Sequence, residues 1–223
     1  QFYGYKTCGV WNSAEEIAAN PHFSDDAPGG IRIVDTNNDG SLTPEDRVAL
    51  GTPYPDFTWG ITNTFQIKDF DISFLIQGVQ GITVLNGDVY YNETKKWNKK
   101  YTKNRWVSAE HPGDGKTPYQ NVKTGHDLML TDYPLQNASY ACLRNFTVGY
   151  TLPATAARKI KLSGVRFYVS GSNLLYIWGS GYKGINPESR MTSGNYSSAM
   201  ISGYQRGGFP LTSTISAGFD INF

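Results

Sequence analysis

The chain has 223 residues, with 20 Lys and Arg against 19 Asp and Glu, a net charge of +1 that lacks the basic excess of a nucleic-acid-binding surface. Hydrophobic residues make up 39%, and no apolar run reaches the roughly 18 residues of a transmembrane helix. Aromatics at 14% with 24 Gly suit a soluble all-β protein and a membrane barrel equally, so the order of the residues has to discriminate.

Residues 2–11 alternate aromatics and glycines irregularly and form the weakest expected strand. Residues 12–55 form a long connection. Within it, Asp35, Asn37, Asp39, Gly40, Ser41, Thr43 and Asp46 have the spacing of an EF-hand-type calcium loop. Oxygen side chains fall at loop positions 1, 3, 5, 9 and 12, glycine at 6 and a backbone carbonyl at 7. Asp46 stands where sensor EF-hands carry Glu, as in dockerin-type loops. The expectation is one structural calcium ion held by Asp35, Asn37, Asp39, the Ser41 carbonyl and Asp46, with Thr43 direct or through water. The competing reading is an ion-free Asn/Asp/Gly turn.

From Asp56 to Ile67 the odd positions carry Phe57, Trp59, Ile61, Phe65 and Ile67, with Asn63 the exception. Lys68 and Asp69 make a tight link, after which Phe70, Ile72, Phe74 and Ile76 resume the apolar row. Period two with a two-residue link predicts a hairpin. Residues 82–139 form a second long connection. Phe146, Val148, Tyr150 and Leu152 then alternate with Asn145, Thr147, Gly149 and Thr151. After a short link at 153–164 with one helical turn, Val165, Phe167, Val169, Leu175 and Ile177 alternate with Arg166, Tyr168, Ser170, Ser172 and Tyr176. Residues 178–208 form the third long connection. Residues 209–223 close the chain as a run with Phe209, Leu211, Ile215, Ala217, Phe219, Ile221 and Phe223 on one side. Such a run exceeds the ~9–11 residues that a tilted strand needs to cross a bilayer.

Short and long connections alternate strictly, as outer-membrane barrels require with short periplasmic turns and long extracellular loops. The expected fold is therefore all-β: about six antiparallel strands of a transmembrane β-barrel, with surface loops at 12–55, 82–139 and 178–208. Phe57, Trp59, Phe74, Phe146, Phe167, Ile215 and Phe219 are expected to face lipid. Thr58, Thr62, Thr147, Ser170 and Ser216 are expected to face the lumen. Six strands cannot close a membrane barrel, so either several copies share one barrel or these strands are the carboxyl-terminal part of a larger one, the reading that a missing export signal favours. Gln1 opens the chain without Met or signal-peptide core, so an export signal is expected elsewhere.

Little suggests catalysis. His22, His111 and His126 lie in connections without metal-ligand spacing, and no nucleophile elbow, P-loop or dinucleotide fingerprint occurs. Asp114, Asp127 and Asp132 offer no preferred glycosidase pair. Cys8 and Cys142 read as two unpaired thiols rather than a disulfide framework. The connections carry Tyr90, Tyr91, Trp97, Tyr101, Trp106, Tyr119, Tyr182, Tyr196 and Tyr204, whose rings can stack on sugars, pack against peptides or fold the loops on themselves.

The ordered blocks Phe2-Tyr-Gly-Tyr-Lys-Thr-Cys-Gly-Val10, Gly30-Ile-Arg-Ile-Val-Asp-Thr-Asn-Asn-Asp-Gly40, Asp46-Arg-Val-Ala-Leu-Gly51 and Pro55-Asp-Phe-Thr-Trp-Gly60 carry a resemblance. Lys68-Asp-Phe-Asp-Ile-Ser-Phe74, Leu143-Arg-Asn-Phe-Thr-Val-Gly-Tyr-Thr-Leu-Pro153, Val165-Arg-Phe-Tyr-Val-Ser-Gly-Ser-Asn-Leu174, Tyr182-Lys-Gly-Ile-Asn-Pro-Glu188 and Phe219-Asp-Ile-Asn-Phe223 extend it. Together they resemble the carboxyl-terminal barrel region of SusC/RagA-like TonB-dependent outer-membrane transporters of Bacteroidetes. The resemblance implies a 22-stranded barrel, a plug and TonB-contacting segment that these residues lack, and a SusD-like surface lipoprotein lid. It implies import of glycan oligomers or peptides; the alternation of connections itself puts the long loops outside and the carboxyl terminus on the periplasmic side. The alternative from the residues is a soluble extracellular carbohydrate-binding β-sandwich with a calcium loop. A secreted glycoside hydrolase is a third reading.

Overall fold

A computed structural model describes residues 1–89, 103–119, 128–189, 203–206 and 208–223. Its strands in chain order are β1 (Phe2–Gly4), β2 (Thr7–Val10), β3 (Ile31–Ile33), β4 (Val48–Gly51), β5 (Phe57–Ile67), β6 (Phe70–Gln80), β7 (Thr83–Asn86), β8 (Leu135–Asn137), β9 (Tyr140–Thr151), β10 (Gly164–Trp178), β11 (Tyr204–Gln205) and β12 (Thr214–Asn222). Short helices accompany them, among them α1 (Ala14–Ala18) and α2 (Ala154–Lys159).

The expected hairpin forms. Residue 68 takes φ +54°, and β5 and β6 pair without a register break from Ile67↔Phe70 to Phe57↔Gln80. All the long strands join one antiparallel sheet in the order β12-β10-β9-β6-β5. Directly opposed residues share a face, so the register sorts every side chain. One row runs Ile215–Gly171–Phe146–Phe74–Asn63 and another Phe219–Phe167–Tyr150–Phe70–Ile67. The intervening rows are mostly polar, such as Ser216–Ser170–Thr147–Ser73–Thr64, while the row Trp178–Tyr140–Val79–Thr58 next to the long connections is largely apolar. Phe57, Trp59, Phe74, Phe146, Phe167, Ile215 and Phe219 thus occupy one face, and Thr58, Thr62, Thr147, Ser170 and Ser216 the other.

The apolar face is not a core. Phe57, Ile61, Phe65, Phe167, Val169, Leu175, Ile177, Ile215 and Phe219 are all exposed, Ile215 at 74%. In a sandwich such a row would be packed against a second sheet. Most of the buried apolar residues gather instead in the connections. Ile82, Val84, Ala138 and Tyr182 form one cluster, and Tyr5, Ile31 and Ile33 form another with Phe23, Leu42, Leu128 and Tyr133 around it. An exposed apolar sheet face beneath loops with their own cores is the architecture of a barrel wall, and the soluble sandwich is not favoured.

Two expected strands are corrected. Residues 2–11 stay out of the large sheet and split into β1, paired with β4, and β2, paired with β3. Tyr5 and Trp11 are buried at 3% and 0%, so the segment packs as part of a folded connection. Gly4 lies so close to the Leu130 carbonyl that a side chain there would collide with it. The final run is also shorter than its alternation suggests, with ladder pairing only over Thr214–Asn222. Pro210 lacks an amide donor, and Ser213 Oγ donates to the Asn173 carbonyl at 2.7 Å.

Candidate functional site

The polar face of the sheet carries two ionic networks. The first begins with a bulge: between Leu75/Ile76 of β6 and Asn145/Leu143 of β9, Arg144 is an extra residue. On the other side of β9, Asn173 and Leu174 of β10 together stand opposite the single Arg144, with Asn173 at φ +54°. A bulge re-aims a side chain, and here it turns Arg144 onto the polar face. Its guanidinium meets Glu188 at 2.8 Å, Asn173 Oδ1 at 2.9 Å, Tyr176 Oη at 3.0 Å and Gln77 Oε1 at 3.2 Å. Tyr176 Oη also donates to Glu188 Oε1 at 2.9 Å. Glu188 belongs to the third long connection, so Arg144 moors that loop to the sheet. The buried Gln205 holds the same stretch, donating to the Ser189 carbonyl at 2.7 Å and accepting from Tyr182 Oη at 2.7 Å.

The second network lies nearer the short links. Arg166 of β10 forms a bidentate pair with Asp71 of β6, at 3.0 and 2.6 Å, and reaches Asp220 of β12 at 3.2 Å. Since β9 lies between β6 and β10, the Asp71–Arg166 pair has to pass over it, and it does so at Gly149. A Cβ there would sit 2.4 Å from Asp71 Oδ1 and 2.6 Å from Arg166 Nη2. A strand-interior glycine marks such a close approach, and it was the one sequence signal available for this network. For Arg144 the signal was the adjacent polar pair Arg144-Asn145, which breaks the alternation after Leu143.

The acidic loop is tightly turned. Asp35 Oδ2 accepts from the Gly40 amide at 2.8 Å, Asn37 Oδ1 from the Asp39 amide at 3.0 Å, and Asp39 Oδ1 from the Ser41 amide at 2.8 Å. Asp35 Oδ1 is buried with no hydrogen-bond partner. Asp46 is fully buried and faces backbone donors, with Oδ1 accepting from Thr36 at 2.8 Å and Oδ2 from Thr43 at 2.8 Å. It thereby caps a 3-10 turn over Pro44–Asp46. Among the described residues, no group of three or more His, Cys, Asp or Glu gathers to hold a metal ion.

Burial alone would raise the Asp46 carboxyl, but the amides of Thr43, Thr36 and Asn37 outweigh it and hold the group below the ordinary aspartate range. A depressed native value means that the carboxylate stabilises this loop fully above about pH 4, the unfolded aspartate range. That contribution is lost as pH falls through the lower native value. Asp46→Asn should turn an amide N–H towards a backbone donor and cost about 1–3 kcal/mol of loop stability. Limited proteolysis at neutral pH should then cut within residues 35–46 while the strands stay protected, and equal protection in the variant would refute the capping role.

Among the described residues, the remaining polar positions serve loop turns. His22 Nδ1 lies 2.8 Å from the Asn20 carbonyl, and His111 takes part in a turn with Ser108. Asp114 accepts from the Lys116 and Thr117 amides and Asp132 from Thr7, serving loop turns. Cys8 is exposed, Cys142 is buried, and both are unpaired. Trp106 and Tyr119 pack edge to face at 6.0 Å, and Trp178 packs on Tyr182 at 6.2 Å, so several loop aromatics fold the connections. Tyr90, Tyr91, Trp97, Tyr101, His126, Asp127 and Tyr196 lie outside the described residues.

No protein-family model matches the chain. The chain is 31% identical to the TonB-dependent receptor P26 of Formosa agariphila over 232 aligned residues, covering 100% of this chain and 22% of the relative. It is 27% identical to the TonB-dependent receptor SusC of Bacteroides thetaiotaomicron, covering 70% of this chain and 15% of SusC. A solved structure of the RagAB peptide transporter superposes with a TM-score of 0.70 at 19% identity, covering 100% of this chain and 22% of that one. The chain thus spans about a fifth of the length of the relatives and structures it matches.

Proposed function

We propose, because this chain belongs to the SusC-like TonB-dependent receptors, that it forms wall and surface loops of an outer-membrane importer of glycan oligomers or peptides. The observation that carries this reading is the two-faced sheet. Its outward side chains suit lipid, its inward ones suit a polar channel, and its connections alternate between short turns and long folded loops. On this reading the long loops are extracellular and residue 223 lies on the periplasmic side. The exposed edges of β5 and β12 need further strands in a hydrocarbon layer. The partners would be the rest of a barrel with its plug, TonB and a SusD-like lipoprotein. The relatives are receptors and transporters, and no hydrolytic role is proposed.

Cells lacking the gene should fractionate without this protein in the outer membrane and lose growth on one class of oligomer, while growing normally on its monomers. Growth unchanged on every oligomer tried, with the protein recovered in a detergent-free soluble fraction, would refute the assignment.

The acidic loop is proposed to hold one calcium ion as structural cement. What supports it is the orphaned buried Asp35 Oδ1, an anionic atom with no donor, in a loop whose spacing also supplies Asn37, Asp39 and the Ser41 carbonyl. Asp46 would join only through lone pairs left by its amide bonds, and Thr43 directly or through water. Asp35→Ala with Asp39→Ala should abolish calcium protection of residues 12–55 against proteolysis and leave the sheet unchanged. Equal protection with calcium and with chelator in the unmutated protein would remove the metal from the account.

A further inference from the structure

We propose that the second long connection carries an oxyanion-binding subsite built from Lys103, Arg105 and His111. It rests on the import reading above and names the chemistry that this loop recognises: a carboxylate, sulfate or phosphate group carried by the imported oligomer. These three residues line one cavity of about 360 Å³, together with Asn104, Val107, Gly113 and Asp114.

The loop is folded to present them. The Trp106 amide donates to the Thr117 carbonyl at 2.9 Å, the Asp114 amide to Asn104 at 2.9 Å and the Val107 amide to His111 at 3.0 Å. Gly113, at φ +67°, brings the turn so close to residues 104 and 105 that a Cβ would collide with their carbonyls. Arg105 and His111 are therefore held on facing arms of a closed turn.

The guanidinium of Arg105 supplies the anion-binding fork. Its Nε is buried without an acceptor, and no carboxylate pairs with it among the described residues. That Nε is closed to solvent, so an oxyanion in the cavity would meet the terminal amino groups of the guanidinium. Guanidinium groups with a free fork take planar oxyanions bidentately. Asp114, the one acid in the lining, is already engaged. Burial would raise its carboxyl, but the amides of Lys116 and Thr117 and the Thr117 hydroxyl at 2.9 Å outweigh that and hold it low. Its charge is turned to those donors, and the cavity keeps a positive balance.

The same chemistry could be met by the acidic group of an oligomer or by a phosphate of the outer leaflet, and we commit to the oligomer. The probe is inorganic sulfate at fixed ionic strength, titrated calorimetrically into the whole protein in neutral detergent. A saturable site at ~1–10 mM is expected for a small anion. Arg105→Gln and, separately, the exposed Lys103→Gln should each weaken it at least about threefold, and together beyond measurement, whereas Lys159→Gln on a short link leaves it unchanged. Lys103 is at the surface, so its variant keeps the test valid if Arg105→Gln misfolds. Absence of saturable sulfate binding, or binding indifferent to both substitutions, overturns the subsite. Repeating the titration in nanodiscs of phosphatidylglycerol and of phosphatidylcholine separates the sources. Loss of the site only in phosphatidylglycerol overturns the oligomer assignment in favour of lipid phosphate. Failed growth complementation with an intact sulfate site would count against the import reading instead.

Discussion

Ile215→Arg is expected to lower the stability of the assembled barrel by about 2–4 kcal/mol, because the site lies at the mid-height of the apolar face. The register supplies the height: the row through Ile215, Gly171, Phe146, Phe74 and Asn63 crosses β5 and β6 near their middles. Ile215 is 74% exposed and meets no packed layer, so its neighbour in the membrane is hydrocarbon. An arginine there has to be desolvated or must drag water and headgroups inward. The control is one residue away. Ser216 opposes Ser170 on the polar face, and Ser216→Arg should cost well under about 1 kcal/mol because side chains alternate between faces. Urea unfolding in vesicles, read by the loss of the heat-modifiable folded band, measures both. If Ser216→Arg is as damaging as Ile215→Arg, the faces are assigned the wrong way round or the sheet is not in lipid.

What could be read from the residues depended on whether a pattern is local. Phe57–Ile67 and Phe70–Gln80 declare themselves because each apolar position recurs within two residues and the link between them is two residues long. The faces of Phe146, Phe167 and Phe219 follow by the same rule. Residues 2–11 misled because aromatics and glycines alternate there for another reason. Tyr5 and Trp11 are buried in a folded connection, and Tyr5 bridges to Thr131, far away in sequence. Residues 209–213 continue the alternation, yet Pro210 and the Ser213 hydroxyl withdraw them from the ladder. The loop 35–46 was legible as a turn with oxygen ligands at set spacings. That Asp46 also caps a 3-10 turn required the backbone. Asp71, Arg166 and Asp220 had no local signature, since their partnership spans the sheet, and only Gly149 hinted that something must cross above it.

Arg144→Met is expected to free the third long connection from the wall. The substitution keeps an unbranched chain of similar length but removes every donor that Arg144 offers to Glu188, Asn173, Tyr176 and Gln77. Glu188 would be left with Tyr176 Oη and the Glu188–Asn186 amide turn. Stranding one partner of a fully buried pair costs about 3–5 kcal/mol. Here the two side chains are 23% and 28% exposed, water can reach them, and the expected cost falls to roughly 1–3 kcal/mol. Glu188→Gln should be milder, because Arg144 keeps Asn173, Tyr176 and Gln77 and faces the polar channel side. Arg144→Lys should recover only part of the loss, since an ammonium cannot reproduce a fork that reaches four acceptors. The decisive measurement is a double-mutant cycle between Arg144→Met and Glu188→Met, read by the rate of proteolysis within residues 179–189. A mooring contact predicts strong coupling, with the double variant little worse than Arg144→Met alone. Strict additivity would mean that Gln205 and the Tyr182 hydroxyl hold the loop without Arg144. The ion pair would then be a local feature of the wall rather than the tie between wall and loop.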